Sequence, residues 1–583
     1  MKIKAIYKTL LALPLAAVGF TSCSDWLEIK PQNLITIDEF WNEKADVDGM
    51  IAGLYSNLQS NATITRMMVW GEFRSDNIST GTNTNTNTSL ENVLRENINA
   101  SNSDTTWNQF YYVINQANTI IDKAPGVAEK DPAFSQSELL ADIAECSAVR
   151  DLCYFYLIRT FRDVPYSTAA YYDDDQIMDL PATSFDNILD SLINDLERVK
   201  DNAVTTYPSS SSTKALYQTG RITKDAIYAM LCEMYLWKQD YQNCIKYADL
   251  VIADKRQQFE DNQASSIGVT DLSRFNGYPL INDYYDAGSY YGRAYNNIFG
   301  NGGGSAETGN SSESIFELTF MSADNRPKNG AVNTMYGPSS SGRGLVGPSS
   351  YVNEYTTNRT STSNIYYQRD ARYYENMMET GSTIAKYTYT DCAITTSQTP
   401  YTVTGQSSSR FTNGKVHSNW IIYRLTDIML LKAEALAAMM SDNAQLTDQD
   451  REYLAQAFSL VNAVNKRSVL QSDQQLADTL QASTYDTKEK IENLVLDERQ
   501  RELMFEGKRY YDLVRRARRD GNTTVISSNV LHKFATGGSV VQNKFSKMDY
   551  IYWPYNIDEL KVNKNLKQNP AFGSGENSSM QRN

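Results

Sequence analysis

The sequence predicts a mainly α protein: a scaffold of paired helices that carries a large loop-rich lobe with minor β structure. Three observations predict this. Long stretches toward both ends repeat apolar residues with the 3.6-residue period of a buried helix face. Those stretches come in pairs joined by short turns. Between the two halves, from about Phe259 to Asn419, the chain turns rich in Gly, Ser, Thr, Asn and Tyr and loses helical periodicity.

The first 22 residues read as an export signal. Lys2, Lys4 and Lys8 lead into an apolar run, Leu10–Phe20, that ends on small residues. That order is the n-region, h-region and cleavage site of a secretory signal. The run is too short to span a bilayer, which takes about 20 apolar residues. Cys23 follows directly, as in a bacterial lipoprotein signal, and is the expected lipidation site and mature N-terminus. Acyl chains bind a bilayer at about 0.8 kcal/mol per buried CH₂, so the mature chain is expected to be membrane-tethered and folded outside the cytoplasm.

The helices follow in order. Trp107–Asp122 places Phe110, Val113, Ile114, Ala117, Ile120 and Ile121 on one stripe, and Glu138–Phe161 continues the pattern until Asp163-Val164-Pro165 stops it. Phe185–Lys200 starts behind Ser184 or Thr183 as a cap. Thr223–Lys238 and Tyr241–Ala253 form the clearest hairpin, and the spacing Tyr241-x-x-Cys244-x-x-x-Ala248 resembles the second helix of a tetratricopeptide pair. Tyr423–Met440 pairs with Arg451–Arg467, and Lys488–Arg519 reads as one further helix. In the lobe, Ser314–Met321 and Ile384–Tyr389 read as short strands. A smaller polar insertion, Asn77–Leu90, contains the run Gly81-Thr82-Asn83-Thr84-Asn85-Thr86-Asn87. Loops this long in a compact domain are functional or disordered, and dense aromatics argue against disorder.

Composition excludes several function classes. The formal net charge is −14 and the pI about 4.9, so nucleic acid is not an expected partner. The one basic run, Arg515-Arg516-Ala517-Arg518-Arg519, ends a helical pattern and reads as a solvated face complementing the helix dipole. Beyond Cys23 the cysteines are Cys146, Cys153, Cys232, Cys244 and Cys392, with no Cys-x-x-Cys spacing. Cys146 and Cys153, seven apart on one helix, are separated by about 10 Å and cannot bridge. Cys232 and Cys244 could meet across the hairpin, although buried free thiols fit better. With only His417 and His532 present, most metal sites and histidine triads drop out.

Motif matches are weak. Gly342-Arg343-Gly344-Leu345-Val346-Gly347 has a dinucleotide-type glycine spacing, but a Ser-rich loop precedes it and Pro348 follows, so no cofactor is expected. Asp173-Asp174-Asp175 lacks the alternating ligands of a calcium loop and reads as a solvated acidic turn. No metal is expected, nor an enzyme, although carboxylates that pair only in space are not visible in a sequence. The remaining signal is aromatic. Among 39 tyrosines, Tyr278, Tyr284, Tyr285, Tyr290, Tyr291 and Tyr295 crowd together with Asn276, Asn282, Asp283, Arg293, Asn296 and Asn297. Flat rings cover the apolar faces of sugars while amides, carboxylates and guanidinium groups bond their edges.

One ordered set of motifs runs nearly end to end. It begins at Cys23-Ser24-Asp25-Trp26-Leu27-Glu28-Ile29-Lys30-Pro31, Phe40-Trp41 and Ala52-Gly53-Leu54-Tyr55. It continues in Ala144-Glu145 to Arg150, Tyr154-Phe155-Tyr156-Leu157 and Asp163-Val164-Pro165. Then come Tyr423-Arg424-Leu425-Thr426-Asp427, Lys432-Ala433-Glu434-Ala435 and Val461-Asn462. Glu498-Arg499, Glu502-Leu503, Phe505-Glu506-Gly507-Lys508-Arg509, Asp512-Leu513, Trp553-Pro554, Glu559 and Gln568-Asn569-Pro570 complete it. Together these motifs resemble the SusD/RagB family of lipid-anchored nutrient-binding proteins of Bacteroidetes, with two departures: Arg162 where glycine is common in the family, and Tyr555 in place of the second proline of a pair.

The resemblance implies one domain over 23–583 after the signal peptide 1–22, with about four tetratricopeptide-like helical pairs at 23–258 and 420–583 supporting a ligand lobe at about 259–419. It implies non-catalytic glycan capture at the outer membrane surface and delivery to a SusC-like TonB-dependent transporter. Peptide capture, a lipid-anchored glycoside hydrolase and a ligand-free transporter lid are the alternatives. The family supplies no ligand motif to carry over. The candidate ligand residues therefore rest on position and chemistry: Trp70, Arg74, Asp76 and Asn77 beside the Asn/Thr insertion, and Tyr284, Tyr285, Tyr290, Tyr291 and Asn297 in the lobe.

Overall fold

The structure, a computed structural model, describes residues 37–573 apart from 174, 177, 208–218, 262–271, 282–283, 287–288, 292, 300–310, 321–327, 338–342, 354–364, 367–369, 378–382, 389–392, 396–401, 405–417, 444 and 470–479. The export signal and Cys23 lie outside the described residues.

Helices dominate, and their ends follow local chemistry. α1 (Lys44–Leu58) opens with a Glu43–Asp46 capping box and buries Val47, Ile51, Leu54 and Leu58. α2 (Asn61–Met68), capped by Ser60, runs directly into a π-helical turn, Val69–Phe73, whose residues are all buried. α3 (Asn108–Lys130) continues eight residues past the expected end because its apolar stripe resumes at Ala124 and Val127 on either side of Pro125. It packs on α4 (Gln136–Phe161), which is buried continuously from Ala144 to Phe161 and is the central helix. α5 (Phe185–Val199) lies against α4.

α6 (Lys224–Trp237) and α7 (Tyr241–Asp261) form the expected hairpin, turning through Gln239 at φ +63°. Across it the Cys232 and Cys244 Sγ atoms are 3.7 Å apart as free thiols. α7 packs on α8 (Leu425–Met439), which pairs with α9 (Asp448–Ser468) and also meets α10 (Lys488–Leu503). The expected single helix over 488–519 is two. α11 (Arg509–Asp520) starts afresh after Phe505 and Gly507, which take φ values of +67° and +73°. α12 (Thr524–Leu531) follows.

The β structure is minor. β1 (Ile78–Thr80) pairs with β7 (Val346–Pro348), and β2 (Val164–Pro165) with β3 (Ala182–Thr183). A four-stranded antiparallel sheet runs in the order β4 (Tyr284–Asp286), β5 (Ser289–Tyr291), β8 (Ala393–Thr395), β9 (Thr402–Thr404). β6 (Ser314–Leu318) pairs with β10 (Trp420–Arg424). Thus Tyr423 and Arg424 belong to a buried strand and not to the helix the sequence suggested. A short apolar run that is buried on both sides carries no distinguishing period. Ile384 makes an isolated bridge to Met377, and residues 386–388 turn, so the expected strand does not form over the described residues 384–388; Tyr389 lies outside the described residues.

One hydrophobic core joins α1 to α7, β6, β10, α11 and the C-terminal segment, and a second cluster sits among α8, α9 and α10. Much of the tyrosine excess is spent here: Tyr154, Tyr247, Tyr336, Tyr387, Tyr423, Tyr510 and Tyr511 are buried. Between lobe and scaffold lies a buried ionic network. Arg372 and Lys386 of the lobe meet Glu498 at 2.8 Å and Glu506 at 2.6 Å, respectively. Arg424 bonds both Glu502 and Glu506 at 2.7 Å, and Arg467 joins Glu313 to Glu502. Every member is nearly water-free, so charges left unpaired there are costly.

Candidate ligand-binding surface

The Asn/Thr insertion is held from beneath by residues that look polar in sequence but lie inside. Asp76 receives the Arg509 guanidinium at 2.9 and 3.0 Å and the Gln500 amide at 2.9 Å. Burial alone would raise its carboxyl, but Arg509 outweighs that and holds it below its ordinary range. Asn77 donates to Glu72 at 2.8 Å and accepts from Gln500 at 2.8 Å. Burial pushes the Glu72 carboxyl up to about 7 against the opposing pull of Asn77 and the backbone N–H groups of Phe505, Arg509 and Lys508. Arg74 pairs with Glu96 at 2.9 Å inside a ring of Tyr510, Phe545, Tyr550 and Trp553. The Trp70 indole donates to the Asp104 carbonyl at 2.8 Å and packs on Phe110 and Phe161.

These four residues, Trp70, Arg74, Asp76 and Asn77, are fully buried and fully engaged. The expectation that they contact ligand is corrected: they fix the base of the insertion, and a ligand outside the protein does not reach them.

The insertion above that base is open. Thr82, Asn85, Thr86 and Thr88 are exposed, and Asn83 and Asn87 partly so. Its path is set by the β1–β7 ribbon, by the Gly81 N–H to the Leu345 carbonyl at 3.2 Å, and by the Asn83 amide to the Arg343 carbonyl at 2.7 Å. Just past β7, the Ser349 N–H bonds the Asn77 carbonyl at 2.8 Å. Two residues on, the Tyr351 ring stacks on His532, with centroids 4.1 Å apart and an interplanar angle of 21°. His532 is exposed at the end of α12, a position secured by Arg509 bonding Asn529 at 3.1 Å and Lys533 bonding the Phe73 carbonyl at 3.1 Å. The result is a tyrosine–histidine stack, with Tyr351 half-buried and His532 exposed, near the base of a row of amides and hydroxyls.

Sequence reasoning missed Tyr351 and His532. Residue type gave a weak signal, since a tyrosine after Ser349-Ser350 in a loop and a rare histidine both suit a surface. Nothing in sequence brings positions 351 and 532 together.

The lobe places the other candidates in a second cluster. The hairpin register sets Tyr284 opposite Tyr291 and Tyr285 opposite Tyr290. Opposite residues share a face. Tyr290 also pairs with Ile394, which is fully buried. Positions 285 and 290 therefore share one face of the sheet with position 394, and positions 284 and 291 the other. The side chains of these four tyrosines lie outside what the structure describes. Asn297 is partly exposed on the helix Arg293–Phe299, whereas its neighbour Tyr295 is buried and bonds the Glu502 carbonyl at 3.3 Å.

The family model described as "SusD family" matches residues 278–572, and a second, described as "Starch-binding associating with outer membrane", matches 25–236. The chain is 25% identical to SusD-like protein P38 of Formosa agariphila over 590 aligned positions, covering 98% of this chain and 100% of that one. It is 22% identical to SusD-like protein P25 of the same organism, covering 95% and 96%. Among solved structures, a SusD superfamily protein from Bacteroides thetaiotaomicron superposes with a TM-score of 0.59 at 21% identity, covering 91% of this chain and 99% of that one. A laminarin-binding SusD-like protein superposes with a TM-score of 0.57 at 19% identity, covering 91% and 100%. These structural likenesses establish a shared, mainly helical fold.

Proposed function

This chain belongs to the SusD family, and from that membership we propose that it is a non-catalytic, lipid-anchored glycan-binding protein of the outer membrane surface that passes its ligand to a SusC-like TonB-dependent transporter. The observation that carries the reading is the Tyr351–His532 stack, with its exposed histidine, near the Asn/Thr insertion, in a chain whose residues 25–236 match a starch-binding family description. Such a stack covers the C–H face of a sugar ring while nearby amides and hydroxyls bond its edge. The printed name of the laminarin-binding neighbour supports a polysaccharide ligand. The signal and Cys23 supply the tether.

A binding role also fits the state of Asp76, the acidic residue that leads into the insertion. Asp76 is saturated by Arg509 and Gln500, so it is not free to shuttle a proton. The surface is built by three stretches, the insertion, the segment after β7 and the end of α12. Ligand therefore sits where the lobe of about 259–419 meets the scaffold.

The test is a binding panel for the protein lacking residues 1–23, using affinity gels and calorimetry with laminarin, starch, other polysaccharides and peptides. Saturable glycan binding without released sugar supports the proposal. Binding to peptides alone assigns a peptide-uptake role, release of sugar at trace protein assigns a hydrolase, and silence on both panels assigns a ligand-free lid. Any of these three overturns it.

A further inference from the structure

The basic run at 515–519 is not the solvated face its sequence suggests. Arg515 is 4% exposed and donates to Glu434 at 2.8 Å, while Arg516 and Arg519 share Glu492 at 3.0 and 2.9 Å. Its charges are used within the scaffold. The cysteines of the α6–α7 hairpin are a different case.

Cys232 of α6 and Cys244 of α7 are fully buried, and their Sγ atoms stand 3.7 Å apart. That is van der Waals contact, about 1.7 Å longer than an S–S bond. Cys146 and Cys153, by contrast, lie seven residues apart on α4, about 10 Å, and cannot bridge each other. The hairpin is held together beside the pair. Tyr235 and Tyr247, each three residues beyond a cysteine, stack with centroids 5.8 Å apart and an interplanar angle of 7°. Both hydroxyls donate to Glu197 at 2.7 Å. Cys244 Sγ stands 4.0 Å from the Leu431 carbonyl of α8, a long contact for a weak S–H donor.

We propose that Cys232 and Cys244 are an oxidisable pair that the exported protein carries as a disulfide, closing the α6–α7 hairpin. The inference rests on the export reading, because disulfides persist in oxidising compartments and are rare in the cytosol. Order along the chain makes the thiols accessible at the right time. They are 12 residues apart and meet through a local turn, whereas Leu431, on the helix that covers them, follows Cys244 by 187 residues. A chain exported N-terminus first presents the hairpin before its cover exists, and local contacts form early.

In that open hairpin one cysteine thiolate attacks a sulfur of an oxidising protein disulfide. A mixed disulfide forms and one thiolate of the oxidant leaves. The second cysteine thiolate then attacks the mixed disulfide, forms the S–S bond and expels the oxidant's other sulfur. Two protons and two electrons leave the pair, and the oxidant becomes a dithiol. Once α8 packs on α7, burial pushes the Cys232 thiol well above its ordinary range. A pair still reduced at that stage no longer reacts, and a pair already oxidised is shielded from reductants.

The experiment counts thiols in the full chain isolated from the membranes of a cell that exports it. The protein is denatured without reductant, alkylated and weighed by mass spectrometry. Cys146, Cys153, Cys232, Cys244 and Cys392 give five alkylated sites when all are reduced. Loss of the two hairpin sites, with an unreduced peptide linking 232 to 244, is the expected result. The wild type should also melt at a lower Tm in reductant, and the Cys232→Ala/Cys244→Ala variant equally with and without it. Should that variant not fold, the thiol count of the wild type decides alone. Five alkylated sites in a chain that fractionates with the outer membrane overturn the proposal and leave the export reading intact. Five sites in a chain retained in the cytoplasm overturn the export reading instead. The mature protein refolded with oxidised glutathione then decides the pair: a 232–244 link upholds it, and its absence overturns it.

Discussion

Gly71 and Gly507 touch backbone to backbone: a Cβ built on Gly71 would stand 1.9 Å from the Gly507 carbonyl oxygen. Neither side has room to yield. A Cβ on Gly507 would meet the Met67 carbonyl at 3.1 Å and the Trp420 ring at 3.2 Å. This contact seats the π-helical turn against the loop that separates α10 from α11. Gly71→Ala is expected to cost at least 1–3 kcal/mol, the usual penalty of overpacking a filled interior. Gly507→Ala should cost less, about 1–2 kcal/mol, mainly for its positive φ. Urea unfolding of the two variants checks the ranking, and a silent Gly71→Ala would refute the contact.

The buried ionic network gives the second expectation. Burial works against the Glu502 carboxylate, yet Arg467, Arg424 and Arg372 together hold it well below its ordinary range. Glu502→Gln leaves those arginines undercompensated and should cost about 3–5 kcal/mol, the usual effect of breaking a buried pair from one side. Asp427 is likewise held at about 2, burial being outweighed by Lys508 and Arg499. A carboxyl whose folded pKa lies below its unfolded value of about 4 stabilises the fold above that value. Its contribution is lost as pH falls toward the folded value. Stability should therefore fall between about pH 4 and pH 2, and Asp427→Asn should flatten that dependence. Chemical denaturation across that range measures it.

The ligand surface gives the third. Tyr351→Ala and His532→Ala should each weaken glycan binding about tenfold, near 1.4 kcal/mol, with Tm little changed for the exposed His532 and moderately lowered for Tyr351, which is half-buried against the core. Trp70→Ala should do the reverse. It empties a packed site against Phe110 and Phe161 and strips the Asp104 carbonyl of its donor, at about 3–5 kcal/mol of stability. Affinity gels with matched melting curves separate the two effects. Full affinity in the Tyr351→Ala/His532→Ala double variant would remove the stack from the site.

These contrasts show where sequence is legible. Helices such as α3 and α5 announced themselves because burial of one face imposes a period on the residues. The break at Phe505 and Gly507 did not, because it is imposed from a distance. Glu72 accepts the N–H groups of Phe505 and Lys508 at 3.1 Å each, and Gly71 needs the space beside Gly507. The buried strand at Trp420–Arg424 was lost for want of a period. Trp70, Arg74, Asp76 and Asn77 were read as surface residues because a polar insertion follows them. In the fold their polarity is used up in anchoring it. Tyr351 and His532 meet only through the β1–β7 register and the placement of α12, relations between segments that no local pattern encodes.

Arg162 offers a cleaner test of backbone against side chain. It closes α4 at φ +69°, ψ −74°, a strained γ-turn conformation that costs an L-residue on the order of 1–3 kcal/mol. That explains why a glycine would suit the position. The side chain makes partial amends through Asp549 at 2.6 Å and Asp163 at 2.9 Å, but all three groups are about one-third exposed, so each pair contributes about 0–1 kcal/mol. Comparing Arg162→Gly with Arg162→Ala cancels the pairs, since both variants lose them. Alanine keeps the strained φ and glycine does not, so the glycine variant should be the more stable by about 1 kcal/mol despite glycine's larger entropy in the unfolded chain. Paired urea titrations decide it. An alanine variant equal to or better than glycine would mean that the α4 terminus relaxes away from positive φ once the arginine is gone.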